Sequence, residues 1–276
     1  WQSHRQDILK QGGYEVGVAN TALFFNKSNA SRGACHGDGF YVLGHRKALD
    51  ALKALLESKY SLRESYRIGF NEHCDKQATA LKRIVSVGIT SEDKKYVDIE
   101  PDSRHVDYIL QTLGLDAGKV KPDAMPGTKL NDAQIALRRE SPMLSPQDCT
   151  TYRSNVMRAA FLAQDRADIA DAVRSLAQGT VNPNQSHWDD LKHMGRYLMR
   201  TKNVVIRYEQ QDMPNEILTA VDSDYAAVKT TRKSITGMSQ RLDNHVVKST
   251  STMQTSVGLN ASECEFCAIV HWGSSR

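Results

Sequence analysis

The stretch ACHGDGF, residues 34–40, lies between the β-like runs RGACH and FYVLG. An Asp-Gly pair between two such runs is a strong short-range signal for a β-hairpin. The sequence therefore predicts a hairpin whose tip carries Asp38. Turn geometry alone accounts for Gly37, Asp38 and Gly39, but a hairpin tip is also a place for a metal ligand. Both interpretations of Asp38 are open at this point.

The composition is that of an ordinary globular protein. The chain has 276 residues, 40% hydrophobic and 25% charged, which is enough for one large or two modest domains. It has no apolar run of membrane-spanning length and no secretory signal pattern, which predicts a cytosolic or nuclear protein with no membrane partner. The formal charge of +4 is compatible with a nucleic-acid partner. Because the sequence opens on Trp1 and stops within an apolar helical pattern, we expect both ends to be cut.

The five cysteines form no recognisable framework. Their odd number and wide spacing predict no disulfide network. Cys264 and Cys267 are one C-x-x-C pair, which is too few ligands for a zinc site. We expect these two residues to lie one turn apart on a helix.

Hydrophobic periodicity predicts an α+β protein. In the first half, we expect a helix over residues 45–60, a second hairpin over 83–100 and a helix over 104–115. Residues 119–150 hold four of the seven prolines and predict a surface connector at a domain boundary.

The pattern in the second half predicts two helices followed by strands. The helices are expected over residues 152–179 and 186–201, with Ser186 as the N-cap of the second and Asp189 as its capping-box partner. Strands are then expected over NEILTAVDSDYA, ITGMSQRL, HVVKSTST and QTSVGL, and a helix from Asn260. ITGMSQRL and HVVKSTST are expected to pair across Asp243 and Asn244.

Several blocks of this half resemble, in order, the Pol polyprotein of copia-type LTR retrotransposons. DRADIADAV (165–173) is similar to the family's RPDIAYAV, and HWDDLKHMGRYL (187–198) to its HW..LKR..RYL. VDSDYA (221–226), TRKSITG (231–237) and TMQTSVGLNASECEF (252–266) are similar to DADWAGD, TRRSTSG and KQ.TVALSSAEAEY. Together with the hairpin at Asp38, the resemblance is expected to extend over nearly the whole chain.

The resemblance implies a fold and a domain organisation. The fold is an α+β combination of a partial reverse transcriptase palm and connection with a truncated RNase H-like mixed sheet and helix. Residues 1–118 are expected to be the C-terminal part of the palm, 119–210 the linker and helical connection, and 211–276 the N-terminal half of the RNase H-like domain.

The resemblance also bears on Asp38. The family's polymerase hairpin carries two adjacent aspartates, and by resemblance Asp38 takes the first position and Gly39 the second. Polymerases need clustered carboxylates because two Mg²⁺ ions bridge the primer hydroxyl and the triphosphate. Gly39 offers no ligand, and the family's other polymerase aspartate would precede Trp1. A turn is therefore the favoured present role of Asp38, with the metal site as its ancestry.

In the C-terminal segment the resemblance implies ribonuclease H ligands. Asp222 is the strand-borne ligand and Glu263 the helix-borne ligand of a two-metal site for Mg²⁺ that cleaves the RNA strand of an RNA–DNA hybrid. The remaining acidic ligands would lie beyond Arg276. From the residues alone, Asp222 is also consistent with the end of a strand, with Asp224 as the solvent-facing partner two residues on, and Glu263 is consistent with a capping box begun by Asn260.

Basic residues near these carboxylates are candidates for phosphate contacts. Arg232 and Lys233 lie beside the expected cleft, although a solvated β-turn explains them equally well. Lys248, Arg241 and His245 would extend the basic surface if they share one side of the sheet.

Three interpretations of function follow. The first is a retrotransposon-derived Pol fragment related to RNA-directed DNA polymerase and RNA–DNA hybrid ribonuclease, catalytically incomplete as given. The second is a non-catalytic remnant that binds RNA–DNA hybrid, DNA or RNA. The third is a decayed open reading frame. The sequence does not indicate an oligomeric state.

Overall fold

The computed structural model describes residues 2–116, 120–128 and 130–273. Within these residues it has eight α-helices and three antiparallel sheets, so the predicted α+β class is confirmed. The chain divides into two compact units between Tyr66 and Arg67. The three segments implied by the resemblance, with boundaries at 118 and 210, stay a prediction. Among the described residues, no helix combines the length and apolar character needed to cross a membrane.

The first unit is a four-stranded sheet with helices packed on one face. The strands, in sheet order, are β1 (Glu15–Val16), β2 (Leu23–Phe25), β3 (Arg32–His36) and β4 (Gly39–Leu43). The helices are α1 (Gln2–Gln11) and α2 (Arg46–Glu57). Alternate strand residues and the apolar stripes of both helices form one core. Its buried members are Ile8, Leu9, Tyr14, Phe24, Cys35, Leu52 and Leu56.

The predicted hairpin at Asp38 is confirmed. His36 of β3 pairs with Gly39 of β4, which leaves Gly37 and Asp38 as the two turn residues. Gly37 has a φ of 60°, whereas Asp38 does not have a positive φ. A positive φ at the first turn position is typical of a type II′ hairpin, where glycine is favoured. The local sequence therefore selects this turn without any contribution from a metal.

The second unit begins with another four-stranded sheet. Its strands, in sheet order, are β5 (Gln77–Ala80), β6 (Arg83–Ile89), β7 (Lys95–Glu100) and β8 (Ile206–Glu209). The predicted hairpin over 83–100 is confirmed as β6 and β7, whereas β5 and β8 were not predicted. Strand β8 joins from far along the chain, and Arg207 in it makes two 2.8 Å hydrogen bonds to the carboxylate of Asp98 in β7.

A helical layer follows, with helices α3 (Arg104–Thr112), α4 (Asp132–Arg139), α5 (Pro146–Leu162), α6 (Ala170–Gln178) and α7 (Gln185–Arg200). Helices α3, α5, α6 and α7 surround a core that includes Val106, Ile109, Tyr152, Val156, Leu191, Met194 and Leu198. One expectation was wrong here: the single helix expected over 152–179 is two helices separated by a 3₁₀ turn, Ala167–Ile169. The surface connector predicted over 119–150 includes α4, which has no buried residue.

The start of α7 also differs from the expectation. The N-cap is Asn184, whose side chain accepts a hydrogen bond from the backbone N–H of His187 at 3.1 Å. His187 closes the capping box in place of Asp189. Ser186, the expected N-cap, lies inside the helix, and its hydroxyl donates to Asn184 Oδ1 at 2.8 Å.

The C-terminal sheet contains β9 (Leu218–Val228), β10 (Lys233–Leu242) and β11 (His245–Met253), followed by α8 (Ala261–Gly273). Its order is β11–β10–β9 and both ladders are antiparallel, so the expected mixed sheet is not found in the described residues. The segment QTSVGL is irregular and not a strand. Cys264 and Ala268 of α8 are fully buried, whereas Cys267, one helical turn after Cys264, is half-buried, as expected for two cysteines on one helix.

Candidate functional site

The two faces of the C-terminal sheet have different partners. Ser234, Thr236 and Met238 of β10 are buried and point to one face. The hydroxyl of Ser234 donates to Cys264 Sγ of α8 at 3.1 Å, so this is the face that α8 covers. Ser223 of β9 pairs with Thr236 and belongs to the same face.

Asp222 lies on the opposite face of this sheet. It pairs with Gly237, and Asp224 pairs with Ile235; both partners alternate with the buried residues of β10. The two carboxylates are exposed. Ser251, the other neighbour of Gly237, shares this face. The structure therefore places Asp222 and Asp224 together on the side of the sheet away from α8.

Glu263 caps the start of α8. Its Oε2 accepts a hydrogen bond from the backbone N–H of Leu259 at 2.6 Å, and its own N–H donates to Asn260 Oδ1 at 2.9 Å. These two bonds satisfy the backbone N–H groups of Leu259 and Glu263 at the helix N-terminus. The bond from Glu263 to Asn260 is the expected cap, whereas the Glu263 carboxylate accepts from Leu259 and not from the N–H of Asn260, and its metal role stays a prediction.

The described residues do not fit a two-metal site for Mg²⁺. Asp222 and Glu263 are carried on opposite sides of one sheet. Asp38 belongs to the other compact unit, where it is exposed in the hairpin turn. In the described ranges no group of three or more His, Cys, Asp or Glu side chains converges in a way that could hold a metal ion. Two-metal catalysis needs more converging oxygens than these residues bring together.

The basic residues predicted to contact phosphates are spread over different parts of the C-terminal sheet. Arg232 is exposed in the turn that joins β9 to β10, with a φ of 60°, and Lys233 follows it. Arg241 is near the opposite end of β10. Lys248 lies on the α8 side, with Nζ 5.0 Å from the Trp272 ring centre, and the ring of His245 packs edge-on against Tyr208. The expected single basic face is therefore not assembled from these five residues.

A polar network that the sequence did not predict joins the motifs DRADIADAV and HWDDLKHMGRYL. Arg166 is only 2% exposed, and its guanidinium donates to both carboxylate oxygens of Asp168 at 2.8 and 2.6 Å. The same guanidinium donates to the backbone oxygen and the hydroxyl of Thr201, both at 2.9 Å. The hydroxyl of Tyr197 donates to Asp168 at 2.8 Å. The motif residues therefore tie the 3₁₀ turn to the end of α7.

The charges of this network shift the pKa of Asp168. Burial raises the pKa of the carboxyl, but hydrogen bonds from Arg166 and Tyr197 and the charge of Arg166 outweigh burial, so the pKa lies below its ordinary 3.8. A buried guanidinium requires such a partner, because an unpaired buried charge is costly. The network has the features of a structural element, and it involves none of the predicted metal ligands.

Comparison with known proteins found several that are similar in sequence to this chain. A protein from Plasmopara viticola, named as secreted RxLR effector protein 161, is 30% identical over 104 residues, which are 38% of this chain and 72% of that protein. The chain belongs to the same family as this protein. No family model and no solved structure matches the chain.

Two further relatives of the chain are named as Pol polyproteins of transposons, and a third is a mitochondrial protein. Retrovirus-related Pol polyproteins from transposons RE1 and RE2 of Arabidopsis thaliana are 30% and 28% identical, each over 127 residues. An uncharacterised mitochondrial protein of the same plant, AtMg00810, is 25% identical over 169 residues. The chain spans 9% of each Pol polyprotein and 66% of the mitochondrial protein. These similarities support a retrotransposon Pol-like protein.

Proposed function

We propose that this chain derives from the Pol polyprotein of a copia-type LTR retrotransposon, spanning the C-terminal part of the reverse transcriptase and the N-terminal part of the RNase H domain. The observation that carries the proposal is the similarity to two transposon Pol polyproteins over 127 residues. The order of the quoted motifs supports the copia type. The contacts that join DRADIADAV to the end of HWDDLKHMGRYL support a shared local structure for this block.

The activities of such a polyprotein are RNA-directed DNA polymerisation and hydrolysis of RNA–DNA hybrids. We propose that the chain performs neither at an appreciable rate. The placement of Asp222 on the face away from α8, and the use of Glu263 as a helix cap, support this proposal. Gly39 in the second position of the hairpin aspartates supports it for polymerisation.

A second candidate function is binding of RNA–DNA hybrid without cleavage, in the cytoplasm or nucleus. Exposed Arg232 and half-buried Lys233, in and after one turn, favour it because paired cations suit phosphate contacts. The acidic surface formed by Asp222 and Asp224 on the same sheet limits the binding area. We therefore expect weak, sequence-independent binding that falls steeply with salt.

Fluorescence anisotropy with a labelled RNA–DNA hybrid at several salt concentrations tests this function. The Arg232→Gln, Lys233→Gln double variant should weaken binding and flatten the log–log salt dependence by about two units, roughly one for each lost phosphate contact. Lys94→Gln is the matched control, because Lys94 is an exposed lysine in another hairpin, paired with Glu92. Equal affinity of both variants and the parent protein would exclude the turn as the binding surface.

A further inference from the structure

Residues 131–144 form an exposed segment that we call the strap. It contains α4, which has no buried residue, and it ends just before the N-cap of α5. The side chains of Leu137 and Met143 are 71% and 62% exposed. Because little apolar burial holds the strap, its position depends on polar contacts.

These contacts converge on the start of α7. Asn184 Nδ2 donates to the backbone oxygen of Arg138 at 3.0 Å, and Gln185 N donates to the backbone oxygen of Pro142 at 2.8 Å. Leu144 N donates to the backbone oxygen of Pro183 at 3.1 Å, and Met143 forms a bridge with Asn184. The guanidinium of Arg138 also pairs with the carboxylate of Asp190. Asn184 therefore makes two of the contacts that link the strap to the start of α7.

His187 fixes the orientation of Asn184. The backbone N–H of Asn184 donates to His187 Nδ1 at 3.1 Å, while Asn184 Oδ1 accepts from His187 N at 3.1 Å. A backbone N–H can only donate, so Nδ1 must carry a lone pair and the neutral ring must be protonated at Nε2. A proton on Nδ1 removes this acceptor and places two donors against each other.

The surroundings of the ring oppose its protonation. The Tyr152 ring of α5 lies 6.3 Å away, and the ring is packed so closely against Gly179 at the end of α6 that an added Cβ would approach it within 2.6 Å. Burial lowers the pKa of His187, Asp190 of α7 raises it, and Arg138 of the strap lowers it again, with a net value below the ordinary 6.5. The folded contact thus favours the neutral ring.

We propose that the strap is a pH-dependent element, which opens when His187 takes up a proton at Nδ1. The sign follows from linkage: a histidine that is neutral in the closed state and free to charge in the open state stabilises closure above pH 6.5. This stabilisation is lost as the pH falls below that value towards the lower pKa of the closed state. Opening frees α4 while the helical core remains folded.

Hydrogen exchange of the full chain measures this opening. Protection factors, which correct for the intrinsic pH dependence of exchange, should fall about five-fold between pH 7.5 and pH 5.0 for the amides of Leu144 and Gln185, equivalent to roughly 1 kcal/mol for a lost cap. The amide of Leu191, deep in the core, should keep its protection. An equal fall in the protection factor of Leu191 would mean global unfolding and would overturn the proposal that the strap opens on its own.

Two variants of His187 separate the charge from the contact. His187→Gln retains an acceptor that closes a capping box but does not titrate, so it should keep the strap closed at both pH values. His187→Leu removes the acceptor and should lower protection at both. Asp190→Asn is the control for the neighbouring ion pair; it should weaken closure yet keep the step between pH 7.5 and 5.0. An unchanged pH step in His187→Gln would refute the proposal.

Discussion

Tyr197 near the end of α7 donates a hydrogen bond from its hydroxyl to Asp168 in the 3₁₀ turn, 29 residues earlier, at 2.8 Å. Asp168 in turn neutralises the buried guanidinium of Arg166. Two motifs that identify the retrotransposon resemblance are therefore joined by a single carboxylate. Packing of the helical layer therefore accounts for the presence of Asp168 and Tyr197 in these two motifs.

Removing this carboxylate should destabilise the second unit. We expect Asp168→Ala to lower the free energy of unfolding by about 2–3 kcal/mol, because it leaves the guanidinium of Arg166 buried without its counter-charge. Urea unfolding followed by circular dichroism measures the effect. Glu92→Gln removes half of an exposed pair with Lys94 and should change stability by less than about 0.5 kcal/mol. Equal losses in both variants would contradict the buried-pair account.

Replacing Tyr197 by Phe should produce a smaller, pH-dependent loss. The variant loses one hydrogen bond to a charged acceptor, for which we expect about 1 kcal/mol at pH 7. Because the pKa of Asp168 is lowered in the folded state, its stabilising contribution is present above pH 3.8 and is lost as the pH falls through the folded pKa. The difference between variant and parent in urea midpoint should therefore shrink at pH 3. A difference of the same size at pH 7 and pH 3 would argue against the assignment.

The turn between β5 and β6 stores backbone strain. Leu81 and Lys82 have φ values of 50° and 66°, in the left-handed region that glycine and asparagine adopt most readily. We expect the double variant Leu81→Asn, Lys82→Gly to gain about 1 kcal/mol, since Asn-Gly suits a two-residue turn with both φ values positive. Thermal unfolding measures the gain. Leu81→Ala, Lys82→Ala keeps the strain and should show none; a gain in this control would mean that the side chains, not the backbone, cause the effect.

Variants of Glu263 separate capping from metal binding. Glu263→Gln preserves a hydrogen-bond acceptor for the Leu259 N–H and should leave stability nearly unchanged, whereas Glu263→Ala should cost about 1 kcal/mol. Both should leave the midpoint of thermal unfolding equally insensitive to added Mg²⁺. If Mg²⁺ stabilises the parent protein but not Glu263→Gln, the carboxylate is a ligand and not only a cap.

Local sequence signals predicted the elements whose structure depends on nearby residues. The hairpin at Asp38, the pairing of β10 with β11 across Asp243 and Asn244, and the cap of α8 at Asn260 are decided by turn and capping chemistry over a few residues. The helix break at the 3₁₀ turn was missed because it depends on a contact between Arg166 and Thr201, 35 residues apart. Strand β8 was missed for a similar reason, since its partner β7 is about 110 residues earlier.

At the candidate site, too, features that depend on nearby residues were predicted, and features that depend on distant contacts were not. The sequence motifs indicated which carboxylates to examine, and strand alternation placed Asp222 and Asp224 on one face. Sequence could not show that α8 packs on the other face, because this depends on the burial of Ser234, Thr236 and Met238 beneath it. The separation of Lys248 from Arg241 also required the register of the sheet. His187 was noted only as a motif residue, although an acceptor three residues after Asn184 was a readable capping signal.

The central claim is that the carboxylates of this Pol-like chain do not assemble a two-metal site. Incubation of the purified protein with a labelled RNA–DNA hybrid in 10-fold molar excess of protein, with Mg²⁺ or Mn²⁺, tests it most directly. We expect the RNA strand to remain intact in the parent protein and in Asp222→Asn alike. Cleavage by the parent protein that Asp222→Asn abolishes would contradict the claim.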